Sequence, residues 1–443
     1  MSTITPIDGN EAVLKPKRIR KSISPKLTYS AEGEMIYSLL GGVIGDIAGS
    51  SREGYKRNTT SARKLLTVNS SFTDDTALMM GVAEWLNDKG NTSLSQCLMK
   101  WYNRYPHAGY GSRFRAFVQS GEAQSSCGNG GAMRVGACAV VAKSLEEAIA
   151  LAQEQCVVSH LEEQSVVGAQ AIAAAAYIAK EGRLQGKSIA EIKADVKSFI
   201  EQRFGYSLGK SLSEIQERSL EVAQKRAEER RTGIEDAGAR SSNAALSCPM
   251  AINAFLLGNN FEETIRYAIA MLGDSDTVAC MAGYIGAQAF GIPKQLVDET
   301  MVYLPLEMVE LLNALEPENH FVASRLAPPT LRTWSYDMDI VVFGHGDEQY
   351  ESGGHEVYPS RINRRPHKGY PIPTIGKSLE EISSGIDTFI SYAAAHPELR
   401  FHVRKVGYDK AGYSVDQIAP LFARAKELKN VLLPQAVVTA LGW

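Results

Sequence analysis

Two short acidic motifs, far apart in the chain, carry the side chains best suited to chemistry. Each motif combines two carboxylates with a threonine hydroxyl just before an apolar or small-residue run. The six residues are Thr73, Asp74, Asp75, Asp274, Asp276 and Thr277. Taken alone, each motif is typical of a helix N-terminus, where threonine caps free N–H groups and acids suit the helix dipole.

Together, the two motifs predict more than helix caps. The second motif precedes a helix of Ala, Gly, Cys and Met, which can pack closely against neighbours and is therefore expected to be central. Four carboxylates gathered in an interior repel one another unless cations neutralise them. Carboxylate and hydroxyl oxygens suit Mg²⁺ or Mn²⁺ rather than zinc, and this number of ligands fits two ions about 3.5–4 Å apart.

A glycine-rich segment, "SCGNGGAMRVGACAV" (126–140), is a candidate for phosphate binding. Gly128, Gly130 and Gly131 surround Asn129 and would let backbone N–H groups approach a ligand closely, with a helix start behind them. The alternative is a plain turn, which is the commoner reason for a glycine cluster.

Three isolated polar residues lie beside apolar segments. Asp46 falls inside the glycine-dotted helix "GGVIGDIAGSSREG" (41–54), and Glu53 falls just past its end. A carboxylate such as Asp46 is unusual inside an apolar run, and Asp46 is expected to cap or brace a neighbouring segment. His160 opens another small-residue helix and would be either a ligand contact or a satisfied structural histidine.

The surrounding chain falls into three regions. Residues 1–32 are polar and basic, and are expected to form a flexible arm. Residues 33–327 are mostly helical in pattern, with helices predicted at 72–90, 144–158, 168–182, 211–231 and 260–272. Residues 328–443 read as a small α/β domain, with strands at 338–344 and 400–407 and a helix at 378–399; the segment 344–373 between them is expected to be loop.

The composition of the chain excludes several classes of protein. Of 443 residues, 44% are hydrophobic and 22% charged, and the net charge is −3, so nothing draws the whole chain to nucleic acid or to a membrane. No apolar run reaches the roughly 18 residues that span a bilayer, and the N-terminus lacks a signal-peptide core. Six scattered cysteines without a CxxC pair are expected to be reduced thiols of a cytoplasmic protein.

These motifs, in this order, resemble the ADP-ribosylhydrolase family, which includes dinitrogenase reductase-activating glycohydrolase. The matching stretches are Gly41–Glu53, Thr73–Thr76, Gly128–Arg134, His160 and Gly273–Thr277. The resemblance covers about residues 33–295. It implies an all-α, orthogonal helical hydrolase domain with two Mg²⁺ ions at the base of a cleft, where Mn²⁺ may take their place.

The resemblance also implies roles for individual residues. Both acidic motifs would bind metal, with Asp276 as the bridging ligand and Asp74 and Asp276 also acting in catalysis. Gly128–Gly131 and His160 would bind the substrate, the loop holding its diphosphate. Glu53 would activate water or guide the leaving group. The activity implied is release of ADP-ribose from a modified protein, arginine-linked by preference, and a two-metal phosphoesterase is the other enzymatic reading.

The two ends of the chain suggest a biological role. Residues 335–435 loosely resemble macrodomains, although "FGHGDEQYESGGHE" stands where their glycine-rich nucleotide loop is expected, so a docking or scaffold function is the alternative. A basic arm before a hydrolase is similar to immunity proteins that accompany secreted bacterial ADP-ribosyltransferase toxins. In one version the enzyme reverses the modification; in the other the chain is a stoichiometric inhibitor that binds the toxin and catalyses little.

Overall fold

The computed structural model describes most of the chain. The described residues are 34–53, 64–88, 91–232, 241–331, 333–335, 337–345, 358–362, 365–408 and 411–443. The predicted basic arm, residues 1–32, lies outside them. In the described part of the chain, no helix has both the length and the apolar character needed to cross a membrane.

The described residues between 34 and 319 are mostly helical, as predicted. In chain order the elements are β1 (Met35–Ile36), α1 (Leu40–Ser50), α2 (Asp74–Asn87), α3 (Leu94–Arg104), α4 (Ser112–Ser120), α5 (Gly136–Val141), α6 (Leu145–Val157), α7 (Glu163–Leu184), α8 (Ile189–Phe204), α9 (Leu212–Thr232), α10 (Ala244–Leu257), α11 (Phe261–Ala270), α12 (Ser275–Phe290), β2 (Ile292–Pro293), α13 (Lys294–Thr300) and α14 (Leu306–Leu315). The five helices predicted from the sequence correspond to α2, α6, α7, α9 and α11. Polar caps begin several of them; in α6, for example, Ser144 accepts from the backbone N–H of Glu147.

Helices α1 and α12 form the centre of this helical part. Gly41, Gly45 and Gly49 lie on one face of α1, where a Cβ on any of them would collide with the backbone or a methyl group of α12. The absence of side chains therefore lets the two helix axes approach closely. This contact brings Asp46 of α1 towards the start of α12, where Asp276 lies.

A small sheet follows at the C-terminal end. Its elements are β3 (Asp339–His345), β4 (Tyr358–Ile362), β5 (Arg365–Pro373), α15 (Leu379–Ala395), β6 (Arg400–Val403), α16 (Val415–Ile418), β7 (Val431–Leu432) and α17 (Gln435–Leu441). The strand order is β4-β5-β3-β6-β7, with β4 antiparallel to β5 and the other pairs parallel. The two predicted strands and the predicted helix correspond to β3, β6 and α15. The exact boundary at 327/328 stays a prediction.

The prediction of a loop over 344–373 was wrong for much of that segment. Strands β4 and β5 occupy 358–362 and 365–373, and β5 pairs with β3 over Ile340–His345. Tyr370 and Ile372 are buried against the rest of the C-terminal core. Pairing with β3 on one side and β4 on the other outweighs the local signal of Gly and Pro, which sequence patterns read as loop.

Candidate active site

A cleft of about 680 Å³ opens where α2 and α12 begin. The structure brings the two acidic motifs together there, since all six of their predicted residues line it. Glu53, Gly128, Asn129, Gly130 and His160 line it as well. Of the predicted residues, Gly131 alone is absent from the cleft wall: it is buried and packs against Cys156.

Asp46 positions the first motif. Its carboxylate accepts hydrogen bonds from the backbone N–H and hydroxyl of Thr73, at 2.8 and 2.7 Å, and from the same two groups of Thr76, at 3.2 and 2.5 Å. Asp46 has no exposed surface. The structure thus bears out the predicted bracing role of Asp46. From its place on α1, Asp46 caps α2 and holds the N-terminus of α2 at the cleft.

The carboxylates form two groups that share one member. Oxygen atoms of Asp46, Asp75 and Asp276 lie within 4.8 Å of one another, and so do those of Glu53, Asp274 and Asp276. Asp276 therefore belongs to both groups. Asp74 lies in the cleft but in neither group, whereas Asp46, for which the sequence predicted only a capping or bracing role, joins the first. Its one sequence signal was a carboxylate inside an apolar run.

Gathering these groups raises their pKa values. Burial, then the charges of Asp46 and Asp274, raise the pKa of Asp74 to about 8. Burial raises the pKa of Asp46 and Asp274 to about 6 each, although hydrogen bonds to their oxygens limit the rise. The pKa values of Asp75 and Asp276 lie well above the ordinary range, again from burial first and neighbouring carboxylates second. Carboxylates this close together repel one another when they are ionised. A nearby positive charge would therefore stabilise the ionised cluster.

One oxygen atom tests whether a cation fits. Asp75 Oδ2 accepts from the hydroxyl of Thr277, at 3.2 Å, which links the two motifs. Asp75 Oδ1 is buried and has no hydrogen-bond partner in the described structure. A buried carboxylate oxygen without a donor is costly unless something else binds it. With several carboxylate oxygens nearby, the residues present fit hard divalent cations.

The glycine segment forms one wall of the cleft. Asn129–Gly131 make a short 3₁₀ turn, and the Asn129 amide donates to Asp274 Oδ2 at 2.8 Å, tying this wall to the second motif. A Cβ on Gly130 would lie 2.9 Å from the ring of His160. Close packing is thus one reason for these glycines. Short-range sequence patterns could not reveal this reason, because His160 belongs to a distant segment.

The helical fold and this cleft define a class of proteins in which two acidic motifs meet beside a glycine wall. Comparison with known protein families identifies this class. The profile of the ADP-ribosylglycohydrolase family matches residues 31–319. Since the match covers well over half of the chain, the protein belongs to this family. Membership implies hydrolysis of a glycosidic bond to ADP-ribose.

Curated relatives carry the same assignment. The chain is 25% identical over 266 residues to ADP-ribosylhydrolase ARH3 of Bos taurus, covering 50% of this chain and 71% of that protein. It is 27% identical over 261 residues to the Danio rerio protein of the same name, covering 50% and 70%. Among solved structures, one described as an ADP-ribosylglycohydrolase-related protein complex is 22% identical, with a TM-score of 0.44, over 63% of this chain and 96% of that one.

Proposed function

We propose that this protein is a Mg²⁺-dependent hydrolase that removes ADP-ribose from ADP-ribosylated proteins, with arginine as the preferred linkage. The observation that carries the proposal is the meeting of two carboxylate groups, sharing Asp276, in one cleft with a glycine wall. The cleft volume, about 680 Å³, lies in the usual range for small-molecule sites and suits a dinucleotide-sized group.

The six residues of the two acidic motifs, with Asp46 and Glu53 beside them, would hold two Mg²⁺ ions, for which Mn²⁺ can substitute. Bound cations would supply the positive charge that neutralises the carboxylates and orients the ribose hydroxyls. Asp276, common to both groups, is the proposed bridging ligand, and the Gly128–Gly130 wall with His160 would face the diphosphate.

Glu53 is the residue we assign to proton transfer. Breaking the bond at the anomeric carbon of the ribose develops positive charge on the sugar, which the carboxylates around it stabilise. Glu53 is exposed at the mouth of the cleft and is within 4.8 Å of Asp274 and Asp276. From there its carboxylate can accept a proton from the attacking water, with Asp74 beside it completing the catalytic set.

The deciding experiment measures release of ADP-ribose from an arginine-ADP-ribosylated protein with and without Mg²⁺. A serine-ADP-ribosylated protein and a generic phosphoester are incubated in parallel, because a two-metal phosphoesterase would cleave the last of these instead. The proposal expects Mg²⁺-dependent release from the arginine-linked protein. Equal release in the presence of a chelator, or cleavage of the phosphoester alone, would refute it.

We further propose that the protein acts in the cytoplasm as an antitoxin, or immunity protein, against an ADP-ribosyltransferase toxin. All six cysteines are free thiols, which supports that compartment. The basic composition of residues 1–32, which lie outside the described residues, supports an arm that blocks the toxin's acidic or NAD⁺-binding surface. The macrodomain-like C-terminal region would serve docking or scaffolding.

The alternative is a stoichiometric inhibitor with little catalysis, and two variants separate the roles. Deleting residues 1–32 should weaken toxin binding but leave ADP-ribose release intact, whereas Asp74→Ala should do the reverse. If the truncated chain binds the toxin as tightly as the full chain, the arm has no inhibitory function.

A further inference from the structure

Arg134 is a buried cation directly behind the glycine wall. None of its surface is exposed, and burial lowers its pKa to about 10, so the guanidinium stays charged at neutral pH. Its hydrogen bonds go to neutral acceptors: the side chain and backbone oxygens of Gln155, each at 2.8 Å, and the hydroxyl of Ser159, at 2.7 Å. Its Nη1 has no partner within the described residues. Buried charges are normally paired, so this one needs a reason.

The arginine decides which way the Ser159 hydroxyl points. A serine hydroxyl has one proton to give, and its oxygen already accepts from Arg134 Nη2. The other contact of this hydroxyl is His160 Nδ1 at 2.9 Å, and Ser159 itself is buried. Arg134 cannot accept a proton. The hydroxyl therefore donates to Nδ1, because the opposite direction would leave a buried hydroxyl proton without an acceptor.

This direction sets the tautomer of His160. Burial, and after it the charge of Arg134, lower the pKa of His160 to about 3, which keeps the ring neutral. A neutral imidazole whose Nδ1 accepts must carry its proton on Nε2. That nitrogen lies on the side of the ring facing Gly128 and Gly130, and His160 lines the cleft. The ring thus presents an N–H donor at the glycine wall.

We propose that Arg134 and Ser159 are positioning residues that hold His160 as the Nε2–H tautomer, ready to donate to a phosphate oxygen of bound ADP-ribose. The phosphate as acceptor rests on the proposed function; the relay from arginine to serine to histidine does not. A neutral N–H donor can bind an anion without gaining or losing a proton. The guanidinium behind it, which bonds to neutral acceptors among the described residues, adds favourable positive potential.

The test uses the full-length protein with ¹⁵N-labelled histidine and long-range ¹⁵N–¹H correlation spectra, with His160→Gln to assign the ring signals. Wild type should show a protonated Nε2 and a bare Nδ1 at neutral pH, and ADP-ribose should shift Nε2 more than Nδ1. Ser159→Ala should mix the tautomers and weaken ADP-ribose binding, measured by calorimetry, about three- to tenfold, the range for one hydrogen bond. Ser159→Thr, which keeps the hydroxyl, should restore both.

Thr300→Val is the matched control, since it removes an equally buried hydroxyl that bonds to the carbonyl of Leu296 on α13. It should change neither the tautomer nor the binding. A proton on Nδ1 in the wild type, or an unchanged tautomer in Ser159→Ala, would overturn the relay even with ADP-ribose binding intact. A wild-type protein with the expected tautomer that fails to bind ADP-ribose would instead refute the phosphate contact and the proposed function.

Discussion

At the scale of single residues, the site depends on carboxylates gathered in a buried place. Asp276 contributes to both carboxylate groups, and Asp75 Oδ1 is buried without a hydrogen-bond partner among the described residues. The protein therefore carries an electrostatic cost that a bound divalent cation would relieve, and we expect cation binding to stabilise the fold.

The corresponding prediction concerns Asp276→Asn. At Mg²⁺ a hundredfold above the dissociation constant, one site raises the free energy of unfolding by about 2.7 kcal/mol, and two sites by more. The wild type should show this gain in urea unfolding with and without Mg²⁺, and Asp276→Asn should lose most of it because both groups lose a carboxylate. Asp298→Asn, on the surface of α13, is the control. A variant that keeps the full Mg²⁺ gain would show that Asp276 is not a ligand.

At the scale of elements, the contact between α1 and α12 determines where the carboxylates lie. A Cβ on Gly45 would run into the carbonyl of Ala279, and one on Gly49 into the backbone of Asp276. Because backbone atoms have no rotamer to change, the helices themselves would have to separate.

We predict that Gly45→Ala lowers the free energy of unfolding by about 1–3 kcal/mol or more and weakens Mg²⁺ binding, as Asp46 and Asp276 move apart. Thermal unfolding and calorimetry measure the two effects. Gly385→Ala in α15 is the matched control, since its new methyl would meet a side-chain atom, Cγ2 of Ile372 at 3.1 Å, and no backbone, and alanine is the better helix former. Equal stability of the two variants would argue against close packing of α1 on α12.

A second element-scale prediction concerns Glu316, which caps the start of α1. Its carboxylate accepts from the hydroxyl of Ser38 and the backbone N–H of Leu39, and burial raises its pKa to about 7. Between pH 4.5 and 7 the Glu316 carboxyl is therefore protonated in the folded state. In the unfolded state its pKa returns to the ordinary value near 4.5, so the proton is released there. Stability from this group is greatest below pH 4.5 and falls by about 3 kcal/mol as the pH rises to 7.

Glu316→Gln removes this titration while keeping an acceptor for Leu39. The stability of the variant relative to the wild type should therefore increase as the pH rises from 5 to 8. The measurement is the difference between their free energies of unfolding in urea. Glu310→Gln, which removes an exposed carboxylate of α14, is the control for the loss of a surface charge. A difference that stays constant across this range would mean that Glu316 is already ionised in the folded protein.

At the scale of the whole molecule, the C-terminal part contributes to the cleft. Thr333, beyond the end of the family match, lines the cleft, and its hydroxyl pairs with that of Ser71 at 2.7 Å. Trp334 is 1% exposed and packs between Phe72, just before the first acidic motif, and His402 of β6.

Charged groups also join the two parts. Arg400 of β6 bonds to both oxygens of Asp339, at 2.7 Å each, and reaches across to Glu307 of α14 and to the hydroxyl of Tyr105. Burial acts to raise the pKa of Asp339, but the charge of Arg400 and the bond from His402 hold it at about 2. This buried network favours one fixed arrangement of the sheet beside the cleft.

The whole-molecule prediction is that Thr333→Val impairs the helical part although the residue lies outside it. The hydroxyl of Ser71 loses its buried partner, which should lower stability by about 1 kcal/mol and raise the KM for the ADP-ribosylated protein as the neighbouring segment loosens. Urea unfolding and steady-state kinetics measure these effects. Thr333→Ser keeps the hydroxyl and should behave like wild type; equal damage from both variants would assign the effect to the lost methyl group instead.

Local features of this protein were predictable from its amino-acid order. Hydrophobic periodicity and polar caps identified α2, α6, α7, α9 and α11, because such signals lie within one or two turns of a helix. The chemistry of the two acidic motifs could also be predicted, since carboxylate and hydroxyl oxygens prefer hard cations wherever they lie in a fold.

Features that depend on contacts between distant segments could be found only in the folded chain. In the structure, Asp46 caps the N-terminus of α2 and belongs to a carboxylate group, and Gly131 packs against Cys156. Arg134 hydrogen-bonds to Ser159, which in turn contacts His160. A Gly- and Pro-rich segment forms β4 and β5, and Thr333 lies at the cleft. Each of these rests on close approach or hydrogen bonding between residues far apart in sequence, and local patterns carry no information about such pairs.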